Sequence, residues 1–191
     1  DDKACLLPKN FLQSAASSSD VSVWQFLSPI VSGGQTVILQ DMADVENIIR
    51  QLQQHDVHLL QAVPVLLHLL VDFMRVAYPQ GCPLPALQWV MSTGDALPVP
   101  VANAWLALYP EVPIMNGYGP SEASDDVTEF VVNAQLPHDA LNVPIGRPLP
   151  NLTMYVMNDQ LQLQPIGVPG ELCVSGVGVG KGYKNNPEKT D

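Results

Sequence analysis

The chain predicts an α/β fold: a parallel sheet flanked by helices, followed by a β-rich segment. Three observations carry that expectation. Between residues 20 and 116, apolar residues at helical spacing alternate with short apolar runs of strand length. Strands separated by single helices favour a parallel sheet covered on both faces, joined by right-handed crossovers. After residue 122 the helical spacing stops, and strand-like runs punctuated by proline and glycine take over, which reads as antiparallel sheet. The expected division is 1–125 for the α/β part and 126–191 for a β-rich part of the same domain. At 191 residues the chain is one domain or one large piece of a bigger one.

The elements follow in order. Val21 to Val31 is amphipathic, with Val23, Phe26, Leu27 and Ile30 at helical spacing and Ser19 or Asp20 as a cap. Gly33-Gly34 ends that helix, and Thr36 to Leu39 reads as a short buried strand. Val45 to Leu52 returns to helical spacing, Val57 to Leu60 is strand-like, and Pro64 opens a helix running to about Met74. Pro83 and Pro85 mark a loop before the strand Leu87 to Met91. Gly94 turns the chain, Pro98 starts a helix through Trp105 and Leu108, and Val112 to Met115 forms another strand. The segment Asn116 to Glu122 then reads as a surface loop, because its glycines, proline and hydroxyl suit a turn. Beyond it, Val127–Val132, Thr153–Met157 and Glu171–Ser175 read as strands, the first two separated by Pro144, Pro148 and Pro150.

This order places two glycine-containing turns, Thr93-Gly94-Asp95 and Asn116–Glu122, after consecutive strands. Both emerge at the carboxyl ends of parallel strands, the edge where open α/β sheets bind ligands. An aromatic ring, exposed glycine backbone, a hydroxyl and a carboxylate within seven residues make up the inventory of a nucleotide site.

Composition narrows the possibilities. With 8 basic and 19 acidic residues, the formal charge of −11 leaves no basic stripe for nucleic acid. No apolar run reaches the roughly 18 residues that span a membrane. Cys5, Cys82 and Cys173 are far apart, which argues against a disulfide framework or a zinc site and for the cytoplasm. His55 and His58 lack a third ligand nearby and read as a solvated helix end. The five lysines lie near the two chain ends, so a triphosphate would be held by Mg²⁺ and backbone, or by groups outside these residues.

Four motifs in order give the chain a resemblance. Asn116-Gly117-Tyr118-Gly119-Pro120-Ser121-Glu122 matches N-x-Y-G-P-T-E with Ser for Thr. Gly170-Glu171-Leu172, continuing to Gly182-Tyr183, matches G-E-L-x-x-x-G…R-G-Y with Lys181 for Arg. Asp20-Val21-Ser22-Val23-Trp24 is similar to F-D-x-S-V-W, with Ser19 in place of the aromatic residue, and Gly94-Asp95-Ala96-Leu97 is similar to the G-G-E-A-L turn. Over essentially its whole length the chain thus resembles the adenylation domain of a nonribosomal peptide synthetase, in the adenylate-forming superfamily.

That resemblance implies a flavodoxin-like subdomain of an adenylate-forming core, and an ATP- and Mg²⁺-dependent activation of an amino acid. The aminoacyl-AMP would pass to phosphopantetheine on a partner carrier domain, beside condensation domains of the parent synthetase. It implies that Tyr118 stacks on adenine, Asn116 bonds its amino group, and Gly94, Asp95 and Ala96 line the opposite wall. Ser121 and Glu122 would serve the α-phosphate, with Glu122 also on the metal. Asp20 would hold the substrate ammonium, and Val21, Trp24, Gln61, Met91, Thr93, Gly117, Asp125 and Asp126 would line the side-chain pocket. Two acids there suggest a cationic or polar side chain, or else they point to solvent. The phosphate loop, a ribose-binding aspartate and a catalytic lysine have no match within the 191 residues, so this stretch alone is expected not to turn over. The alternatives are an acyl- or aryl-CoA ligase of the same superfamily, which has no ammonium for Asp20 to bind, and a non-catalytic binding fragment.

Overall fold

The computed structural model describes residues 9–190. Cys5 and Asp191 lie outside the described residues. The chain runs β1 (Asn10–Gln13), α1 (Asp20–Ser32), β2 (Gln35–Ile38), α2 (Val45–Gln54), β3 (Leu59–Ala62), α3 (Pro64–Ala77), β4 (Trp89–Ser92), α4 (Val99–Leu108) and β5 (Ile114–Tyr118). A 3₁₀ turn at Ser121–Ala123 then leads to β6 (Thr128–Val132), β7 (Arg147–Pro148), β8 (Leu152–Met157), β9 (Glu171–Gly176) and the short α5 (Pro187–Thr190).

Seven strands form one sheet in the order β2-β1-β3-β4-β5-β6-β7. The first five are mutually parallel, and β6 and β7 add antiparallel to β5. This is the 2-1-3-4-5 order of a flavodoxin-like sheet, whose chain reverses direction of winding between β1 and β3. The strands β8 and β9 form a separate antiparallel ribbon.

Local chemistry explains the helices. In α1, Pro29 has no N–H to give the Gln25 carbonyl, and Thr36 Oγ1 donates to that carbonyl instead at 2.9 Å. Gly33 closes the helix at φ +71°, a left-handed conformation that glycine adopts without a Cβ clash. The Asp44 side chain caps α2 by accepting from the Asn47 N–H at 2.9 Å. Pro64 opens α3 where its missing N–H costs nothing.

Helices α2, α3 and α4 pack side by side on one face of the sheet. Beneath them lies the main core, including Leu12, Ile48, Leu60, Leu67, Leu97, Trp105 and Ile114, all fully buried. Helix α1 packs against β1 and β2. A smaller cluster of Phe11, Leu59 and Met91, flanked by Trp24, Trp89 and Met115, occupies the face that α1 shares.

Four expectations change. The apolar residues Val23, Leu27 and Ile30 of α1 are more than half exposed, and its buried side is Ser22, Gln25 and Pro29, because the helix turns Gln25 toward Ser14 and Gln61. The strand near Thr36–Leu39 sits at the sheet edge with Ile38 67% exposed, because the order leaves β2 a single neighbour. Residues Asn116–Tyr118, read as a loop, are the last three of β5, all paired with β6, and Asn116 also with β4. The strand β1 has no counterpart in the sequence reading, since only Phe11 and Leu12 are apolar there.

Candidate functional site

The carboxyl ends of β1, β3, β4 and β5 converge with the start of α1 and the 3₁₀ turn, and three cavities open there. The first, about 420 Å³, lies at the β1/β3 reversal and is lined by Ser14, Asp20, Val21, Gln61, Thr93, Ser121 and Asp125, among others. In the second, about 440 Å³, Gly94, Asp95 and Ala96 line a wall with Asn116, Gly117 and Tyr118. The third, about 260 Å³, takes Trp24, Met91, Asp125 and Asp126. Of the residues singled out in sequence, Glu122 alone lines none of these cavities.

Asp20 is the first residue of α1, where a carboxylate is favoured by the helix dipole. The Ser121 hydroxyl beside it is the main cause of a pKa below the ordinary aspartate value, with the Val21 N–H and Ser19 hydroxyl adding to it. Its charge is therefore retained at neutral pH. Asp125 behaves oppositely: burial, then the neighbouring Asp126 and Asp20, push its carboxyl up to about 6. Burial also raises Asp126, against the lowering effect of Thr93 Oγ1, which donates to its Oδ1 at 2.8 Å.

Asn116 is 3% exposed on β5, and its Nδ2 donates to the Pro144 carbonyl at 2.9 Å and, more weakly, to that of Val143 at 3.5 Å. Those carbonyls are in reach because residues 141–143 run along the start of α4, with Val143 N–H on Leu97 O and Val99 N–H on Leu141 O. The Asn116 Oδ1 is buried without a protein partner. Tyr118, 42% exposed, ends the strand beside the same cavity. Gly117 has no space for a side chain, because a Cβ would stand 2.5 Å from Asp126 Oδ2.

Among the described residues, the buried side-chain atoms without partners are Gln13 Oε1, Gln61 Nε2, Ser92 Oγ, Asn116 Oδ1, Asp126 Oδ2 and Thr128 Oγ1. Gln13, Gln61 and Ser92 end or nearly end β1, β3 and β4, and Thr128 faces Tyr118 across the β5–β6 pair. All six therefore gather at one edge of the sheet.

Glu122 is exposed, and its carboxylate accepts from the Tyr183 hydroxyl, which lowers its pKa. The same turn is tied to the segment after β9 by Gly180 N–H on Glu122 O and by Ser124 Oγ on Gly178 O, both at 2.7 Å. No group of three or more His, Cys, Asp and Glu is placed to hold a metal ion among the described residues. A hard cation here would rest on one carboxylate and on ligand oxygens, as Mg²⁺ does in phosphate sites.

Sequence reasoning missed Gln25, which is fully buried and joins Ser14 to Gln61, and missed the Pro144 carbonyl that orients Asn116. The apolar spacing of α1 pointed away from the first, since Gln25 is buried with Ser22 and Pro29 on the side opposite Val23, Leu27 and Ile30. Nothing local in the sequence signals the second.

Comparison with known proteins places this geometry. A model of the family described as AMP-binding enzyme matches residues 8–184. Tyrocidine synthase 3 of Brevibacillus parabrevis is 33% identical over 187 residues, covering 96% of this chain and 3% of its own length. Gramicidin S synthase 2 of Brevibacillus brevis is 31% identical over 186 residues, covering 96% of this chain and 4% of its own. Among the first curated relatives matched, the chain spans 3% to 14% of their length. The AMPPNP-bound nonribosomal peptide synthetase FmoA3 superposes with a TM-score of 0.88 at 25% identity, covering 98% of this chain and 20% of that one. The NpsA N-terminal subdomain of Klebsiella oxytoca, in complex with 3-hydroxybenzoyl-AMSN, superposes at 0.81 with 25% identity, covering 95% and 45%. No helix among the described residues is long and apolar enough to cross a membrane.

Proposed function

This chain belongs to the AMP-binding enzyme family, and from that premise we propose that it is the substrate- and adenine-facing part of an amino-acid-activating adenylation domain of a nonribosomal peptide synthetase. The observation that carries the proposal is Asn116. Its two carbonyl partners can only accept, so the side-chain nitrogen faces them and the oxygen is left as a buried acceptor on a residue that lines the second cavity. An adenine amino group supplies the donor that this oxygen lacks. Tyr118 offers a ring face to the base, and the Gly94–Ala96 turn closes the other side.

In this reading the amino-acid carboxylate attacks the α-phosphorus of ATP, the new carbon–oxygen–phosphorus linkage forms, and pyrophosphate leaves. Asp20 remains charged because Ser121 and the α1 N-terminus favour the carboxylate, and so it holds the substrate ammonium. Mg²⁺ bound at Glu122 would neutralise phosphate charge. Catalysis is mainly orientation and charge stabilisation, which requires no side-chain nucleophile. The acyl group would then pass to phosphopantetheine on a carrier domain, in the cytoplasm.

Titrating the chain with adenosine and guanosine 5′-sulfamates tests the base reading. Guanine puts a carbonyl where adenine has its amino group, so adenosine should bind at least tenfold tighter. Equal affinities would remove the role of Asn116. The acyl-CoA ligase reading is separated by comparing leucyl- with isocaproyl-sulfamoyl adenosine, which differ in the ammonium. Asp20→Asn should abolish the preference for the leucyl compound.

A further inference from the structure

Resting on that reading, the hydrogen-bond polarity of the side-chain pocket can be followed atom by atom. The backbone N–H groups of Ser14 and Ala15 both point at one side-chain atom of Gln25, at 3.1 and 3.2 Å. Backbone N–H groups only donate, so that atom is Oε1. The Gln25 amide nitrogen is therefore the group that reaches Ser14 Oγ at 2.9 Å and Gln61 at 3.1 Å. A nitrogen donor there requires Gln61 to present Oε1 to it. The Gln61 Nε2 is left over as a donor without a partner, on a side chain that is 1% exposed and lines the first cavity.

Asp125 and Asp126 present acceptors. Asp125 lines both the first and third cavities, which makes it the joint between them. Asp126 spends Oδ1 on the Thr93 hydroxyl, while its buried Oδ2 has no partner. A ligand side chain in this space must therefore give donors to the aspartates and an acceptor to Gln61.

We propose that the activated amino acid ends in an uncharged side-chain group carrying donor and acceptor together, a primary carboxamide such as that of glutamine. The carboxamide oxygen accepts from Gln61 Nε2, and its NH₂ donates to the aspartate pair. An ammonium or guanidinium satisfies the aspartates but has no acceptor, and so leaves the buried Gln61 donor unanswered. An aliphatic side chain leaves both ends unanswered. A carboxylate meets two like charges.

The test is calorimetric titration of the 191-residue chain with sulfamoyl-adenosine analogues of glutamine, ornithine, leucine and glutamate, beside unacylated sulfamoyl adenosine. The glutaminyl compound is expected to bind at least tenfold tighter than the other three acylated ones. Gln61→Glu keeps the acceptor for Gln25 and replaces the free donor with an acceptor, so the order should invert in favour of ornithine. An ornithinyl or leucyl analogue binding most tightly to the unmodified chain overturns this assignment while leaving the adenylate site standing. An unchanged order in a folded Gln61→Glu chain also overturns it. Failure of every compound, the unacylated one included, overturns the adenylate-site reading and this assignment with it.

Discussion

Leu60 and Gln61 are neighbours on β3, both buried, and they belong to different parts of the molecule. Leu60 points into the apolar layer beneath α2, α3 and α4, where even Trp105 has its indole N–H answered by the Val112 carbonyl at 3.0 Å. Gln61 stands at the carboxyl edge among polar atoms that are buried and unanswered. An unpaired buried polar group costs about 1–3 kcal/mol, so the edge is held in place by a layer that outweighs it. Stability and recognition are thus separated along the length of the same strands, one residue apart.

The largest effect should come from the layer. Trp105→Ala removes a fully buried indole and should cost about 3–5 kcal/mol in urea unfolding. A loss under about 1 kcal/mol would mean that the layer does not carry the fold. At the edge, Tyr118→Ala should weaken an adenylate analogue by about 1–3 kcal/mol. Its unfolding free energy should stay within about 0.5 kcal/mol of the parent, since Tyr118 is 42% exposed. If affinity and stability fall together, the separation fails.

A smaller effect has the opposite sign. The Asp125 pKa rises on folding from 3.8 to about 6, so its contribution to stability is present below pH 3.8 and is lost as the pH rises through 6. Asp125→Asn should remove that decline and stabilise the chain at neutral pH by about 1 kcal/mol, after allowance for its partial exposure. Asparagine tolerates the φ of +77° that residue 125 adopts. A destabilised variant would show that Asp125 is a structural group. Smallest of all, Ile38→Thr on the exposed edge strand should change unfolding by less than about 0.5 kcal/mol.

The layer was more legible in the sequence than the edge. Helices α2 to α4 announce themselves by apolar spacing and by Pro64 and Pro98 at the starts of α3 and α4, whereas α1 is marked by Gly33 and buries a side its apolar spacing did not indicate. That β2 lies outermost is a matter of strand order, which its Thr-Val-Ile run cannot express. Gly117 suggested a loop, yet glycine is required there by the Asp126 carboxylate lying against its Cα, within a paired strand. At the edge, local motifs pointed to residues that do share cavities: Asp20 with Gln61 and Thr93, and Gly94–Ala96 with Asn116 and Tyr118. They did not reveal Glu122 turned outward to Tyr183 or Gln25 fixing the Gln61 amide, because both depend on partners 61 and 36 residues away.

The bare Cα of Gly117 also bears on how the pocket can be redesigned. Any side chain placed at 117 pushes into the Asp126 carboxylate, so an exchange at one position is read out as movement at the other. A library that enlarges 117 alone meets this clash in every member, so filling that position calls for a shrinking change at 126 made together with it.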